Sequence, residues 1–372
     1  MSKLEELIQQ YCPDGVEYVK LGDIEGQGYI KLGRGNVISK QDMKDCPGDF
    51  PVYSSSSVGD GEIGRYGKYM FDDERISWSI DGGGKFFYRN NLRYSITNVS
   101  GWLKVLAPKV VSTKYLYYTL MNEWVKKVYD YTHKAHPSVI REEYIIPIPP
   151  LPVQEEIVRI LDAFAELQAE LQAELQKRLQ QYNYYRDKLL SFDGRTDVEW
   201  KKLGEISKVC RGVRVVKSQL SNEGYPVYQN CLTPMGYYDK TNCPAGTPFV
   251  ICGGAAGNVG YADVDWWAAD DCEYIIGNVG LTNRYIYHCL MAKKDYLLSQ
   301  VRKASIPRLS PSVIKDLEIP VPSLAEQQRI VDILDMFDSL TTDLTAGLPA
   351  EIEKRKLQYE YYRDKLLTFK RK

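Results

Sequence analysis

The chain has 372 residues, 44% hydrophobic and 26% charged, with a formal net charge of −1. That is apolar material for more than one core and predicts two or three domains. It argues against a membrane span, since no run approaches ~20 apolar residues, and a pI near 6.4 argues against a simple basic DNA-binding module.

The charged N-terminus MSKLEELIQQYCPDG has no apolar signal core, so a protein that is not exported is expected, with its eight cysteines reduced and several of them buried. A first globular segment follows. Its strand-like runs are PVYSSSS (51–57), RISWSI (75–80) and GWLKVLA (101–107), and a tyrosine- and leucine-rich stretch at 113–128 reads as helix. IPIPPLP ends the segment, because proline removes a backbone donor and disfavours helix at the residue before it. A long helix is predicted from about residue 153 to 190. Its apolar stripe is Ile157, Ile160, Leu161, Phe164, Leu167, Leu171, Leu175 and Leu179. At 1.5 Å per residue, ~38 residues span roughly 57 Å, and such a helix needs a partner to bury its stripe.

The order then repeats. A second globular segment carries YPVYQN (225–230), PFVIC (248–252), EYIIGNV (273–279) and a helical stretch at 283–298. IPVPS ends it, and a second helix is predicted over 324–368, with Ile330, Ile333, Leu334, Phe337, Leu340, Leu344, Leu348 and Ile352 as its stripe. Gly347 and Pro349 are positioned to kink or break it. YYRDKLLSF at 184–192 returns as YYRDKLLTF at 361–369, an offset of 177, whereas IPIPPLPVQEEIVRILDAF and IPVPSLAEQQRIVDILDMF are offset by 173. The difference of four falls in AELQAELQAELQ (165–176) against SLTTDLTAGLPAEI, where one unit adds about 6 Å of helix and keeps the apolar face. VEYVKLGDI (16–24) likewise returns as VEWKKLGEI (198–206). The chain is a tandem duplication. The fold class expected is α+β: two mixed globular domains at 1–145 and 193–318, joined by helical regions at 146–192 and 319–372 that pack as an antiparallel coiled coil with pseudo-two-fold symmetry.

Catalytic motifs are scarce. IDGGGKFF (80–87) and ICGGAAGNVG (251–260) match neither phosphate-binding glycine pattern and read as turns. IPPL (148–151) lacks the polar and aromatic residues of an adenine-methyltransferase motif, and no G-x-S-x-G or His-Glu-x-x-His occurs. His133 and His136 alone are too few for a metal site, so no catalytic and no metal residues are assigned. DNA-contact chemistry is better represented. RGNVISK (34–40) and RGVRVVK (211–217) match at Arg34 with Arg211 and Lys40 with Lys217, and each precedes a polar, aromatic strand. Arginine reads guanine, Gln and Asn read adenine, and both basic types hold phosphates. The candidates are Arg34, Lys40, Ser54, Ser55, Arg65, Lys68, Lys85, Arg89, His133 and Lys134 in the first segment. In the second they are Arg211, Arg214, Lys217, Tyr228, Gln229, Asn230, Asn258 and Arg308. The alternative for each is an ordinary surface residue. The 29 tyrosines fit wet polar interfaces, or packing on sheets.

The tandem helical motifs, the paired domain starts, WWAADDC (266–272) and IPRLSPSVIKDLEIP (306–320) together resemble the specificity subunit of type I restriction-modification systems, over essentially the whole chain. The resemblance implies a non-catalytic, cytoplasmic subunit whose two target-recognition domains each read half of a bipartite double-stranded DNA sequence, with helix length setting the gap. It implies two methylation subunits, which hold S-adenosylmethionine, and two restriction subunits, which use ATP and Mg, with no cofactor on this chain and no membrane. Tyr184, Tyr185, Arg186 and Lys188, with Tyr361, Tyr362, Arg363 and Lys365, are then equivalent docking surfaces for the methylation subunits, or else pack the helix ends. A self-contained DNA-modifying enzyme and a coiled-coil scaffold carrying two protein-binding domains remain the alternatives.

Overall fold

The computed structural model describes residues 2–56, 59–90, 93–130, 132–342 and 347–372. Ser57 and Leu344, named above, lie outside them. The chain divides into two compact units. One is Met1–Glu170 with Glu353–Lys372, and the other is Leu171–Ile352.

Each unit holds the same three sheets. In the first, strand Ile30–Arg34 pairs with Ser100–Val105, which pairs with Arg75–Ser79, which pairs with Phe86–Arg89, all antiparallel. In the second, the order is Ser207–Arg211, Cys272–Gly277, Thr247–Ile251, Val259–Ala262. A three-stranded sheet is centred on Phe50–Tyr53 in one unit and on Tyr225–Tyr228 in the other, with one antiparallel and one parallel neighbour each time. The repeated domain starts make short pairs, Tyr18–Lys20 with Ile145–Pro147 and Glu199–Lys202 with Glu318–Val321.

Five of the six strand-like runs form strands within two residues of expectation, whereas PVYSSSS is strand only through Tyr53 and leaves Ser54 and Ser55 in a loop; the reason is visible in burial. Thr247–Ile251 is buried at all five positions, as a central strand covered on both faces must be. The tyrosine-rich helices Thr113–Trp124 and Asn283–Ala292 supply one of those covers. The second helical stretch breaks at Lys293 and continues as Lys294–Ser299. Neighbouring strands close tightly on aromatic rings: a Cβ on Gly101 would meet the Trp78 ring at 2.2 Å, and one on Gly260 would meet Phe249 at 2.3 Å. Five of the eight cysteines are buried thiols.

The long helix runs Leu151–Ser191, 41 residues, and its residues through Glu170 belong to the first unit. It ends on Phe192, held in the left-handed region at φ 49 because its ring is buried at 8% exposure. Among the described residues the second helical region forms helices Leu324–Thr342 and Leu348–Leu366. Gly347 is a non-helical bend directly before the latter, and Pro349 sits in its first turn, where proline is tolerated. Within the second unit the helices run antiparallel: Tyr185 stacks on Phe337, and ten residues later Arg195 pairs with Glu326. Within the first unit Phe164 stacks on Tyr362.

The end of the chain returns to its beginning. Phe369 donates its N–H to the Tyr18 hydroxyl at 2.9 Å, and Val16 donates its N–H to the Lys370 carbonyl at 2.8 Å. YYRDKLLTF therefore lies beside the start of the first domain, as YYRDKLLSF leads directly into the second.

Candidate nucleic-acid interface and docking surfaces

The matched arginines end the first strand of each four-stranded sheet. Arg34 donates through Nε and Nη2 to the Asn98 carbonyl at 3.1 and 2.7 Å, and Arg211 donates through Nε to the Asp270 carbonyl at 3.0 Å. Both stay exposed. The glycine after each donates back across the sheet, Gly35 to Ser100 and Gly212 to Cys272. The duplication thus fixes the arginine to its frame through backbone alone, whatever the neighbouring side chains are.

In the first unit the contacts run on as a chain. The Ser54 hydroxyl is 2.8 Å from that of Thr97, beside the Arg34 acceptor. Ser79 donates its hydroxyl to the Ser55 carbonyl at 3.0 Å. The glycine-rich turn packs directly beneath: a Cβ on Gly82 would meet the Ser55 carbonyl oxygen at 1.7 Å. Lys134 pairs with Asp81 of the same turn at 2.9 Å, and His133 stacks on Tyr129 and reaches Glu143 at 3.0 Å. Lys85, beyond the turn, lies over the Phe87 ring. Arg34, Ser54, Ser55, Lys85, His133 and Lys134 therefore share one loop cluster.

The second unit builds the same cluster from other side chains. Gln229 donates to the Asp270 carboxylate at 3.1 Å, and Arg308 pairs with Asp271 at 2.9 Å. Asn230 accepts at its carbonyl from the Ala255 N–H, while Asn258 donates its amide to the Ala255 carbonyl. Here too glycine allows the approach: Gly254, at φ +83, would bring a Cβ within 2.9 Å of Asn230. Burial raises the pKa of Glu273, which lines with Arg211, Arg308 and Asp271 a cavity of about 370 Å³. Arg214 lies on the loop after Arg211 and Lys217 opens the short 3-10 helix Lys217–Gln219; both are exposed. Tyr228 is half-buried, its ring 4.9 Å from Phe249 and 5.5 Å from Trp266, so it packs the cluster from below.

Four candidates stand apart. Arg89 is 5% exposed; it donates to the Ser77 hydroxyl at 3.1 Å and lies 3.5 Å over the Tyr53 ring, tying the four-stranded sheet to the three-stranded one. It is not presented at the surface, because its face of the strand is covered: the guanidinium lies over the Tyr53 and Phe87 rings and donates to the Asp60 carbonyl. Arg65 is exposed on the three-stranded sheet, paired with Glu62 and the Asp49 carbonyl, and Lys68 follows on the same edge. Lys40 opens the short helix Lys40–Asp45 and is exposed.

Sequence reasoning missed two things. Lys134 and Arg308 occupy the same place in the two units: the residue after each donates its N–H to the end of the third strand, Ala135 to Ile80 and Leu309 to Cys252. Both were sequence candidates, but their equivalence was not read; the signal for it is that each stands three residues before Pro-Ser-Val-Ile, at 137–140 and 311–314. Asp270, which receives both Arg211 and Gln229, sat within the quoted WWAADDC without a role.

The two helix-end surfaces are congruent. Tyr184 and Tyr361 are 60% and 62% exposed. Each is edge-on to the next tyrosine at 5.3 Å, and that tyrosine stacks on a phenylalanine at 5.6 Å, Tyr185 on Phe337 and Tyr362 on Phe164. Arg186 and Arg363 each pair with the following aspartate at 2.8 Å, and Arg363 also donates to the Asn122 amide oxygen at 3.1 Å. Lys188 and Lys365 are exposed.

A family model described as type I restriction modification DNA specificity domain matches residues 13–181 and again 196–354. The chain belongs to the type I restriction-modification DNA specificity family. The specificity subunit of the type I restriction enzyme EcoR124I/EcoR124II from Escherichia coli is 36% identical over 291 residues, 69% of this chain and 70% of that one. The crystal structure of a type I restriction-modification S subunit from M. genitalium matches at a TM-score of 0.67 and 18% identity over 95% of this chain and 96% of that one. A chain from a study of complex assembly and conformational transition of the type I R-M system matches at 0.53 and 16% identity, over 95% of this chain and 98% of that one. The protein is a specificity subunit, a DNA-recognition component rather than a catalyst. Among the described residues no helix is long and apolar enough to cross a membrane.

Proposed function

We propose that each unit reads one half of a bipartite DNA target and that the two halves differ in sequence. One observation carries this reading: the same loop cluster occurs at the same place in two copies of one fold, with hydroxyls and lysine in the first and amides and arginines in the second. Backbone-anchored Arg34 and Arg211, with Arg65, Lys68, Lys40, Arg214 and Lys217 around them, hold phosphates; Ser54, Ser55, Gln229, Asn230 and Asn258 face base edges. The recognition domains are residues 1–145 and 193–318. The helical regions set the gap between half-sites and dock two methylation subunits at the paired tyrosine surfaces, with two restriction subunits joining through the complex. S-adenosylmethionine, ATP and Mg belong to those partners, and the near-neutral chain binds DNA weakly alone, with affinity falling steeply as salt rises.

The test is to purify the chain with its methylation subunit and map the methylated adenines. Deleting one AELQ unit is expected to shorten the preferred gap and leave both half-sites unchanged. Methylation by the chain alone, or methylation without sequence preference by the complex, would overturn the reading.

A further inference from the structure

The strand pairings set two unlike pairs of residues at one place in the repeated fold. Arg34 stands opposite Gly101, which stands opposite Trp78 on the third strand. In the second unit Arg211 stands opposite Glu273, which stands opposite Val250. Gly101 and Trp78 of one unit are thus Glu273 and Val250 of the other. The consequence is steric. The Trp78 indole, 1% exposed, fills the space over Gly101 and donates its Nε1–H to the Ala135 carbonyl at 2.8 Å. Ala135 and Leu309 are equivalent, since each follows the matched basic residue and donates its N–H to the end of the third strand. With valine in place of the indole, the second unit has instead the cavity of about 370 Å³, lined by Leu309 and Glu273.

Glu273 is 4% exposed. Among the described residues its carboxylate makes no hydrogen bond and no ion pair. Arg211, directly opposite on the neighbouring strand, is drawn instead to the Asp270 carbonyl at 3.0 Å. Arg308 is taken by Asp271 at 2.9 Å. A buried acceptor without a donor is costly, so a carboxylate placed in a cavity calls for a ligand bearing N–H groups. The wall is mixed in sign, because Arg302 and Arg308 line it as well. The ligand therefore needs an acceptor edge beside its donor edge, and it enters a space that the other unit gives to a flat, two-ring side chain.

We infer that this cavity takes one unstacked guanine of the second half-site, with Glu273 accepting from its N1–H and 2-amino group and Arg302 and Arg308 donating to O6 and N7. Guanine is the base of DNA that sets two adjacent N–H donors on its Watson–Crick edge beside the O6 and N7 acceptors that arginine reads. Its fused six- and five-membered rings have the frame of the indole. Proteins that draw a base out of the stack read its Watson–Crick edge in a pocket of this kind. In the first unit Trp78 closes the place, so only one half-site is read in this way.

The inference rests on the second unit reading a half-site, and its test separates the two. The full chain with its methylation subunit is titrated with duplexes of the mapped target in which each guanine of the second half-site is replaced in turn by inosine. Inosine lacks the 2-amino group and keeps O6 and N7, so reading in the major groove does not register the change. At one position inosine is expected to weaken binding about five-fold, and Glu273→Gln is expected to bind the guanine and inosine duplexes alike. An abasic site opposite that guanine is expected to tighten binding about ten-fold, because pairing no longer opposes extrusion. Val250→Trp with Glu273→Gly rebuilds the first unit's pair and is expected to abolish both effects; the milder Glu273→Gln keeps the test alive if that double change does not fold. A second half-site without guanine, no position sensitive to inosine, or an inosine loss that persists in Glu273→Gln would overturn the inference, while sequence-selective methylation would still uphold the recognition reading. Saturable binding of free 2′-deoxyguanosine 5′-monophosphate without an inosine effect would overturn it too, because the cavity would then serve a free nucleotide.

Discussion

Set side by side, the two units agree most where they are buried. Tyr115 and Tyr285 each donate a hydroxyl to a proline carbonyl, Pro147 and Pro320, at 3.1 and 3.0 Å. Gln154 and Gln327 are fully buried, and each bridges three backbone groups: Ser112, Val110 and Pro149 in one unit, Thr282, Gly280 and Pro322 in the other. Asp162 receives Lys114 and Tyr118 where Asp335 receives Arg284 and His288. The units part company at the loop cluster and at the helix Lys3–Tyr11. A buried polar group left without its partner is costly, so the hydrogen-bonded skeleton is held fixed. The exposed loop residues carry no such cost and are free to differ, which is what a pair of readers with separate targets requires.

The comparison is most exposed at the buried amides. Gln154→Ala and Gln327→Ala are each expected to destabilise by about 3 kcal/mol, because two carbonyls and an N–H lose their partners in a dry site. Urea denaturation checks this, and a large inequality between the two would end the equivalence. Next, Asn230→Ala is expected to cost about 2 kcal/mol of discrimination at one half-site and nothing at the other, read by methylation of a randomised target library. Relaxation at both half-sites would break the division of labour. Arg308→Ala and Lys134→Ala extend the same test to the matched pair, each acting on its own half.

A smaller effect separates the units by pH. Arg159 and then Lys3 outweigh burial to hold Glu156 down to about 2, whereas its counterpart is Arg329. A depressed carboxylate contributes stability that is fully present above its unfolded value near 4.3 and is lost as pH falls toward 2. Glu156→Gln is therefore expected to cost about 1 kcal/mol at pH 7, after screening at its exposed partners, and progressively less below pH 4.5. Denaturation at pH 7 and pH 3.5 measures the difference, and a constant cost would show that packing rather than charge is lost. Of similar size, Tyr115→Phe and Tyr285→Phe should each cost about 1 kcal/mol, equally in both units.

Much of this was legible in the sequence because its causes are local. Apolar spacing marked the helices, prolines marked the domain ends, Gly347 and Pro349 marked the start of the last helix, and the offsets of 173 and 177 marked the duplication. The candidate site was legible only in part. Arg34 and Arg211 stood out because the duplication kept them in register. The pairing of Lys134 with Arg308 was marked only by the Pro-Ser-Val-Ile that follows each three residues on, and it needed the shared backbone hydrogen bond to be seen. Arg89 reads as a surface cation until the Tyr53 and Phe87 rings are seen to cover it.

By itself, then, the sequence determined a twice-repeated mixed α and β chain with long apolar-striped helices and two basic-polar loops, because periodicity, proline chemistry and repetition act over a few residues at a time. The tertiary structure decided which candidates meet, which are buried, and that the first residues of the chain pack against the head of the long helix. Those outcomes rest on contacts such as Tyr18 with Phe369, 351 residues apart, and on Lys3 with Glu156. Packing fixes such pairs only after the core has formed, and nothing in their local sequence requires them.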